Sequence, residues 1–498
     1  MKIINTADLT PETKLSSFEN DSVYNGLDCC LTLEIFDVIS EQLDNVSRPV
    51  YELSKSFQAP VLEMGLRGIK VNEVVRGETI SAYEADNLRL EKQLNRILYE
   101  VFDLSINWRS NAALKNLFYR IMKIPPVRKR NQKGEMVETV DRDALERLES
   151  YIWARPIISH ILTMRDIGKK ISTLRTSSDA DGRMRTSYNI AGTTTYRFSS
   201  SRNEFGTGGN MQNVENRLRQ PYEADPGYKI AYIDLEQAES RAVGAYCWNI
   251  FHDGGYLDAC ESGDLHTSVC RMGWTNLPWT GDLRTDKPVA EQPFYRQHSY
   301  RHMAKVLGHG SNYNGKPPTM AKHTKLEASL IKEFQTRYFS AFPAIPHWHA
   351  WVATQLATEG HLYTLTGHRR WFFGRRDDDT TLREAIAYGP QGTIGVLLNR
   401  GMLNVWRLGI CQLLLQIHDA IVVQFPEHLE DSIVPQLVQA LKVPIELNHG
   451  RTLIIPSEAK TGWNWADSSP ENPDGLSKFK GHDTRVRSRP RTMLDRRF

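Results

Sequence analysis

Two short apolar runs separated by only two polar residues constrain the fold of this chain more than any other feature. The segment QIHDAIVVQF covers residues 416–425, and a further apolar run at residues 413–415 precedes it. This pattern predicts two short strands joined by a tight turn, with His418 and Asp419 at its tip. Because an unpaired carboxylate is costly inside a core, the turn should face water, a metal ion or a ligand.

The composition indicates a globular protein with several subdomains. The chain has 498 residues, of which 40% are hydrophobic and 24% charged, and this length exceeds what one compact core usually holds. The charge is uneven, because residues 478–498 contain eight Lys or Arg and two Asp or Glu. We expect residues 469–498 to form a flexible basic tail. Such a tail could attract DNA, dock a replication partner or confer solubility.

Cysteine spacing and hydropathy exclude several classes of protein. The six cysteines include no CxxC pair, so neither a disulfide scaffold nor a structural metal is expected. No apolar run approaches the roughly 20 residues that a membrane span needs, and the N-terminus lacks a signal-peptide pattern. We therefore expect a cytoplasmic protein that does not enter a membrane.

Several other segments have local patterns that predict helices, strands or loops. Residues 30–39 have a helical pattern, and the apolar spacing of residues 77–101 predicts a long amphipathic helix. The segment at residues 125–136 reads as an exposed basic loop, either solvated or in contact with a polyanion. Residues 199–213 read as a polar loop, and residues 228–246 as a strand to Asp234 followed by a helix.

Two aspartates at strand ends, Asp234 and Asp419, suggest a metal site. If their strands are neighbours in one sheet, the carboxylates meet at one edge and repel unless a cation lies between them. Hard oxygen ligands with open coordination positions favour Mg²⁺ shared with substrate phosphates. Alternatively, each aspartate is an ordinary turn residue.

A third pattern lies in the segment RHMAKVLGHGSNYNG, residues 301–315. Arg301, Lys305 and His309 are four residues apart, so they lie along one face of a helix, and Tyr313 follows one turn later. Two cations and a ring on one stripe can bind a triphosphate and cover a base. A solvated basic helix face would have the same spacing.

Together these segments resemble those of family A DNA polymerases, the class of bacterial DNA polymerase I and its bacteriophage relatives. DLEQAESR at 234–241 resembles motif A, residues 301–315 resemble motif B, and QIHDA at 416–420 resembles motif C. TTTYRFSSS with NMQN, within residues 193–213, is similar to the Thr-Gly-Arg loop and the segment after it. GPQGT at 389–393 is similar to the Gln-Gly-Thr segment before motif C.

The resemblance implies a two-metal phosphoryl-transfer site. Asp234, Asp419 and the backbone carbonyl of Leu235 would hold two Mg²⁺ ions. Arg301 and Lys305 would bind the incoming phosphates, and Lys305 would be a catalytic residue that protonates pyrophosphate.

The resemblance also assigns residues to the nucleotide and to DNA. His309 stands where the family usually has a Phe or Tyr that stacks on the nucleotide, and Tyr313 would guard the templating position. Glu239 would be the steric gate against a 2′-hydroxyl, with Gln237 also at the nucleotide. The residues that would contact primer and template are Arg197, Arg383, Gln391 and His418.

Four features depart from the family pattern. Ala420 replaces the glutamate of motif C, His309 replaces an aromatic ring, and Tyr196 replaces the glycine of the Thr-Gly-Arg loop. At the N-terminus, YNGLDCCLT resembles the third motif of the family's 3′–5′ exonuclease, with Tyr24 and Asp28 at the expected spacing. The other exonuclease motifs are missing from the sequence, so we expect no intrinsic proofreading unless another polypeptide supplies them.

The resemblance implies an α/β (α+β) right-hand polymerase fold, with an antiparallel-sheet palm and helical fingers and thumb. We expect an exonuclease remnant at residues 1–60, the thumb at 61–190, the palm at 191–290 and 386–468, the fingers at 291–385 and the tail at 469–498. The expected activity is template-directed DNA synthesis by a monomer, in phage-type replication. The expected partners are primer–template DNA, dNTPs and a separate exonuclease or accessory protein. A single-subunit RNA polymerase-like enzyme and a non-catalytic DNA-binding relative remain alternatives.

Overall fold

The computed structural model describes residue 10 and residues 13–203, 206–295 and 298–481. In this part of the chain, no helix combines the length and the apolar character that crossing a membrane requires. The described residues divide into two compact units. The first unit consists of Met1–Gln58, Glu239–Ile394 and Ile445–Leu453, and the second of Ala59–Ala238, Gly395–Pro444 and Ile454–Phe498, as far as these ranges are described.

Helices account for most of the regular structure. In chain order the α-helices are α1 (Ser17–Gln42), α2 (Ser47–Ser56), α3 (Gln58–Arg67), α4 (Glu73–Phe102), α5 (Asn111–Lys115), α6 (Arg142–Leu148), α7 (Arg155–Leu174), α8 (Ala238–Phe251), α9 (Gly255–Glu261), α10 (Leu265–Gly273), α11 (Leu283–Ala290), α12 (Tyr300–Asn312), α13 (Pro317–Thr324), α14 (Ala328–Ala341), α15 (Ala344–Thr358), α16 (Asp379–Leu408) and α17 (Glu430–Ala440).

The strands are short and mostly paired as hairpins. They are β1 (Ile69–Val71), β2 (Arg128–Arg130), β3 (Met136–Glu138), β4 (Arg183–Met184), β5 (Ser187–Asn189), β6 (Ser199–Ser201), β7 (Tyr222–Glu223), β8 (Tyr228–Leu235), β9 (Pro293–Tyr295), β10 (His298–Ser299), β11 (His361–Tyr363), β12 (Arg369–Trp371), β13 (Gln412–Ile417), β14 (Ala420–Pro426), β15 (Ile445–Glu446), β16 (Thr452–Leu453), β17 (Ser457–Gly462) and β18 (Ser477–Lys478).

The second unit is built around an antiparallel sheet of order β13-β14-β8-β17-β18. Strands β13 and β14 are apolar and buried along almost their whole length, as expected for strands covered on both faces. They are joined by the two residues His418 and Asp419. The predicted hairpin at residues 416–425 and the predicted strand ending near Asp234 are therefore confirmed.

A helical pair forms a separate core within the second unit. The long helix predicted for residues 77–101 is confirmed as α4, which begins after an Asn72 N-cap whose side chain accepts a hydrogen bond from the Val75 N–H. Leu94 and Leu98 of α4 pack in one cluster with Ile157 and Ile161 of α7, all nearly inaccessible to solvent. Burial of these apolar side chains is the main force that stabilises the pair.

Three sequence expectations need correction. The basic segment at residues 125–136 contains an antiparallel hairpin of β2 and β3, which is exposed as expected but is not a loop. The polar segment at 199–213 contains β6, which pairs with β5. The expected flexible tail at 469–498 begins too early, because Ser477 and Lys478 pair with β17 as the fifth strand of the sheet. The rest of that tail, residues 482–498, lies outside the described residues.

The first unit is mostly helical and includes α12, the helix predicted from residues 301–315. Helix α12 follows a Ser299 N-cap, whose side chain accepts a hydrogen bond from the His302 N–H, and it ends at Asn312 with Tyr313 as the C-cap. Its C-terminal end is fixed by a buried polar network. The Asn312 amide donates to the Tyr256 hydroxyl at 2.8 Å and accepts from the Tyr338 hydroxyl at 2.9 Å. Helix α1, predicted in part from residues 30–39, buries none of its residues.

Candidate active site

Asp234 and Asp419 lie close together at one end of the central sheet. Asp234 is the second-to-last residue of β8 and directly faces Ala420 on β14, the residue that follows Asp419. The Leu235 N–H donates a hydrogen bond to the Asp419 carbonyl oxygen at 3.2 Å. Because facing Cα atoms in a sheet are about 4.5–5.5 Å apart, the Cα atoms of the two aspartates lie within about 9 Å of each other.

The Tyr232 phenol lies close enough to both carboxylates for each of them to affect its pKa. Tyr232 precedes Asp234 by two residues and therefore projects from the same face of the sheet. Burial raises the pKa of Tyr232 to about 12, and the negative charges of Asp234 and Asp419 both contribute in the same direction. The two aspartates predicted to form a metal site thus share one electrostatic environment.

Arg197 provides a counter-charge for one of these carboxylates. Its guanidinium lies 2.7 Å from the Asp419 carboxylate, and both side chains are about three-quarters buried. A divalent ion bound at Asp419 would share that carboxylate with Arg197. The expected DNA-contacting residue Arg197 is therefore placed beside the predicted metal ligand.

The residue before Arg197 has an unusual backbone conformation. Tyr196 has a φ of 59°, in the left-handed region that normally favours glycine. Its carbonyl oxygen accepts a hydrogen bond from the Asn399 amide at 2.7 Å, which helps to fix this conformation. The backbone at this position thus takes a shape that glycine adopts without strain, although a tyrosine is present.

A buried polar network lies beneath the turn that carries Asp419. The Tyr188 hydroxyl donates to the Gln416 carbonyl at 3.1 Å and accepts from the Gln416 N–H at 3.0 Å. The Gln212 amide donates to the Gln416 side-chain oxygen at 3.0 Å. Buried hydrogen bonds of this kind stiffen the turn, although the Gln416 Nε2 atom has no hydrogen-bond partner among the described residues. His418, at the tip of the same turn, also has a left-handed backbone, with a φ of 50°.

In the first unit, the two cations predicted along one face of α12 differ in whether they form ion pairs. Arg301 donates to both carboxylate oxygens of Asp264, at 2.8 and 2.9 Å, and lies 3.6 Å from Glu291. Lys305, one turn later, is exposed and makes no ion pair or side-chain hydrogen bond with any other described residue. Nearby, the pKa of His266 is lowered to about 4, chiefly by burial and also by the positive charges of Arg301 and Lys305. The free cation on this stripe is therefore Lys305.

Glu239, His309 and Tyr313 form one cluster in the first unit. The Tyr313 hydroxyl donates a hydrogen bond to the Glu239 carboxylate, and the His309 Nε2 atom lies 3.5 Å from the same carboxylate. The two rings meet edge to face with their centroids 4.9 Å apart. The side chain of Glu239 thus contacts two residues that the family resemblance assigns to the nucleotide.

The remaining predicted residues lie on other elements. Gln237 has a left-handed backbone, with a φ of 52°, between β8 and α8. Arg383 and Gln391 are both on α16, two turns apart, with Arg383 exposed. Within the second unit the structure brings together Asp234, Leu235, Asp419, His418 and Arg197. Within the first unit it brings together Glu239, His309 and Tyr313.

The chain matches a known family over most of its length. The family whose sequence model it matches is described as DNA polymerase family A, and the match covers residues 78–467. The chain belongs to DNA polymerase family A.

Individual polymerases show the same relationship. The thermostable DNA polymerase I of Thermus filiformis is 25% identical over 429 residues, which is 80% of this chain and 47% of that protein. DNA polymerase I of Chloroflexus aurantiacus is 25% identical over 483 residues, 91% of this chain and 47% of that protein. The chain thus spans about half the length of the curated relatives it matches.

The fold of a family A polymerase is supported by a solved structure. The POL domain of Pol1 from M. smegmatis, in a complex with DNA primer-template and dNTP, has a TM-score of 0.66 and 21% identity. The similarity covers 82% of this chain and 69% of that one. The expected mixed helix-and-sheet polymerase fold is confirmed.

The two carboxylates at this end of the sheet form a donor set that fits divalent ions. Among the described residues, no three His, Cys, Asp or Glu side chains are grouped so as to hold a metal by themselves. The carboxylates of Asp234 and Asp419 are hard oxygen donors that leave coordination positions open, as Mg²⁺ sites completed by phosphates require. The chemistry of the two aspartates therefore fits Mg²⁺.

Some residues around the site were not expected from the sequence. Tyr188 hydrogen-bonds to the backbone of Gln416, and Asp264 accepts hydrogen bonds from Arg301. Asn399 donates a hydrogen bond to the Tyr196 carbonyl. None of the three lies within a quoted motif, so motif spacing gave no signal for them.

Proposed function

We propose that this chain is a template-directed DNA polymerase that adds deoxyribonucleotides to a primer 3′ end with Mg²⁺ as cofactor. The observation that carries the proposal is the convergence of Asp234 and Asp419 beside Tyr232 at one end of the sheet. The membership in family A supports it. The primer-template and dNTP bound by the M. smegmatis relative are the partners we propose here, with the chain acting as a monomer.

The proposed domains follow the expected boundaries, with one change. We assign residues 61–190 to the thumb, 291–385 to the fingers and 191–290 to the first part of the palm. The second part of the palm runs from 386 beyond the expected 468, because β18 at Ser477–Lys478 extends its sheet. Residues 1–60 would be the exonuclease remnant.

Asp234, Asp419 and the Leu235 carbonyl would hold the two metal ions. When bound, such ions lower the pKa of the attacking hydroxyl and neutralise charge on the leaving pyrophosphate. The stiff strands β8 and β14 keep both carboxylates in place, which phosphoryl transfer needs because it depends mainly on alignment. Arg197 balances the charge of Asp419 and orients it.

Lys305 is the residue we assign to the triphosphate and to protonation of pyrophosphate. Its side chain is exposed, whereas the guanidinium of Arg301 already donates hydrogen bonds to both carboxylate oxygens of Asp264. Arg301 could bind phosphate only by sharing or leaving that pair. We therefore propose that Lys305 contributes more to nucleotide binding than Arg301 does.

The position of Glu239 favours a DNA polymerase over the RNA polymerase alternative. Its carboxylate is fixed by Tyr313 and lies beside His309, so it can occupy the volume that a 2′-hydroxyl would need. This argues against the RNA polymerase alternative. Retention of Asp234, Asp419, Arg301 and Lys305 together argues against a non-catalytic DNA-binding protein.

The proposed setting is phage-type replication without intrinsic proofreading. Tyr24 and Asp28 lie one turn apart on α1 and are exposed, so they could contribute to an exonuclease site only with residues from elsewhere. A separate exonuclease or accessory protein is the proposed partner. Trimming of a mismatched primer end by the purified chain would contradict this part of the proposal.

A primer-extension assay tests the main proposal. The purified chain should extend a matched primer with dNTPs and Mg²⁺, and extension should stop in EDTA. Asp419→Asn keeps the size of the side chain but removes its charge, so it should abolish extension while primer–template binding persists. The exposed pair of Arg375 and Asp377 offers a control, because Asp377→Asn removes a carboxylate far from either aspartate in sequence. Full activity of Asp419→Asn would overturn the metal role.

A further inference from the structure

Asp234 has a facing residue on each side of its strand in the central sheet. On β14 the facing residue is Ala420, and on β17 it is Glu458. Residues that face each other across antiparallel strands project from the same side of the sheet, with Cα atoms about 4.5–5.5 Å apart. Glu458 therefore projects from the same face as Asp234. The departure at Ala420 does not leave Asp234 without a neighbouring carboxylate, because β17 supplies one.

A cavity on this face adjoins both carboxylates. It has a volume of about 240 Å³, and Asp234 and Glu458 both line it. Tyr232, which precedes Asp234 by two residues, lines it as well, together with Lys460, the residue that faces Tyr232 on β17. The two carboxylates thus border one space beside the proposed metal ligand.

The charge of Glu458 is partly offset by a lysine from the last strand of the sheet. The Lys478 ammonium lies 2.9 Å from the Glu458 carboxylate, and the side chains are 58% and 31% exposed, respectively. The nearer lysine in sequence, Lys460, is paired instead with Asp467 at 2.9 Å. Lys478 belongs to β18, which lies beyond residues 78–467, the part of the chain that matches the family. Because exposed ion pairs are weak and screened by water, much of the negative charge of Glu458 remains effective.

This arrangement suits a residue that acts on a metal ion through its charge and not as a ligand. Among the described residues, no three His, Cys, Asp or Glu side chains are grouped so as to hold an ion by themselves. Coulomb attraction extends over several ångströms and is twice as large for a divalent ion as for a monovalent one. Without an ion, two neighbouring carboxylates repel each other. A cation bound at Asp234 removes that repulsion.

We propose that Glu458 is a further acidic residue of the metal site, which strengthens the binding of a divalent ion at Asp234, and that Lys478 limits this effect. Glu458 is a positioning residue, because it acts through Asp234 and the field around it. Lys478 lowers the negative charge that the ion meets. This role rests on the proposed function of Asp234 as a metal ligand and adds a residue from outside the motifs.

Binding of Mn²⁺ to the full chain, without DNA or nucleotide, tests the role of Glu458. The electron paramagnetic resonance signal of the free ion measures the affinity. Glu458→Gln keeps the size of the side chain and removes its charge. It should weaken Mn²⁺ binding by roughly threefold or more, as one unit of charge does to a divalent ion about 8 Å away in aqueous surroundings. Glu458→Asp keeps the charge and should retain most of the affinity.

Lys478→Gln should shift the affinity in the opposite direction. It removes the charge that offsets Glu458, so Mn²⁺ should bind more tightly, and the gain should be smaller when Glu458→Gln is also present. The ion pair of Arg96 and Glu100 on α4, at 2.7 Å, offers matched controls in the same unit. Arg96→Gln and Glu100→Gln should leave the Mn²⁺ affinity unchanged.

Three results would overturn the proposal. Unchanged Mn²⁺ affinity in Glu458→Gln would show that its charge does not reach the ion. Weaker binding in both Glu458→Gln and Lys478→Gln would indicate a merely structural effect on the sheet. Binding that survives in Asp234→Asn would mean that the ion lies elsewhere.

Primer extension over a range of Mg²⁺ concentrations, on the same preparations, separates this role from the polymerase function. Glu458→Gln should need more Mg²⁺ for half-maximal extension, and Lys478→Gln less. Extension by the parent with no response of Mn²⁺ affinity to either substitution would refute only the role of Glu458. Opposite shifts of Mn²⁺ affinity without any extension by the parent would refute only the polymerase function.

Discussion

Ala420 directly faces Asp234 across β14 and β8, and its methyl group is completely buried. In the family pattern, a glutamate stands at this position of motif C. The two residues project from the same face of the sheet, so a longer acidic side chain at 420 would lie against the Asp234 carboxylate.

Ala420→Glu should therefore destabilise the protein when no divalent ion is present, because like charges that face each other across strands repel. Mg²⁺ should recover part of that loss. The measurement is the thermal unfolding midpoint in EDTA and in millimolar Mg²⁺. Ala420→Gln is the control, since it adds similar volume without charge. Equal responses of the two variants to Mg²⁺ would show that no ion binds beside Asp234.

Glu239→Ala should raise ribonucleotide incorporation, because it empties the volume that the carboxylate occupies. Tyr313→Phe should raise it less, since it only removes the hydrogen bond that holds Glu239 in place. The measurement is the ratio of kcat/KM for a deoxyribonucleotide to that for the matching ribonucleotide. An unchanged ratio in Glu239→Ala would mean that Glu239 does not select the sugar.

His349 should make the stability of the protein fall as the solution becomes acidic. Burial lowers its pKa from 6.5 to about 4, and its Nε2 lies 2.8 Å from the Asn312 carbonyl. Below pH 6.5 the unfolded chain takes up a proton that the native histidine does not, so stability is full above pH 6.5 and decreases toward pH 4. The loss from one such group is about 3 kcal/mol at most.

Urea unfolding at pH 7, 6 and 5 would measure this effect. His349→Gln should reduce the slope of stability against pH without removing it, because His266 also has a pKa lowered to about 4. His323, which is exposed, provides the control substitution His323→Gln. An identical slope in parent and His349→Gln would show that His349 is not buried in its neutral form.

Local patterns in the sequence predicted the elements that carry the motifs. The two apolar runs separated by two polar residues predicted β13, β14 and the position of Asp419 in the turn between them. The four-residue spacing of Arg301, Lys305 and His309 predicted α12. These features depend on interactions between residues close in sequence, which the periodicity of side chains reveals. The apolar spacing of residues 77–101 ends at Val101, which is nevertheless exposed, because periodicity does not say where the neighbouring helix ends.

Contacts between distant segments could not be predicted in this way. Nothing near Asp419 in sequence indicates Arg197, which is 222 residues away, and nothing near Arg301 indicates Asp264. Tyr196 could be recognised as a departure from the family, but only the backbone shows that it takes the conformation of a glycine. Long-range pairing depends on the whole fold, so a single sequence does not specify it.

The short strand β18 has a practical consequence for shortening the chain. Lys478 and Ser477 satisfy hydrogen bonds along β17, which without them would be the outer strand of the sheet. Unpaired backbone groups on an outer strand invite pairing with other molecules. Cutting the chain at residue 468 would therefore promote aggregation, whereas a cut after residue 481 would leave the sheet protected.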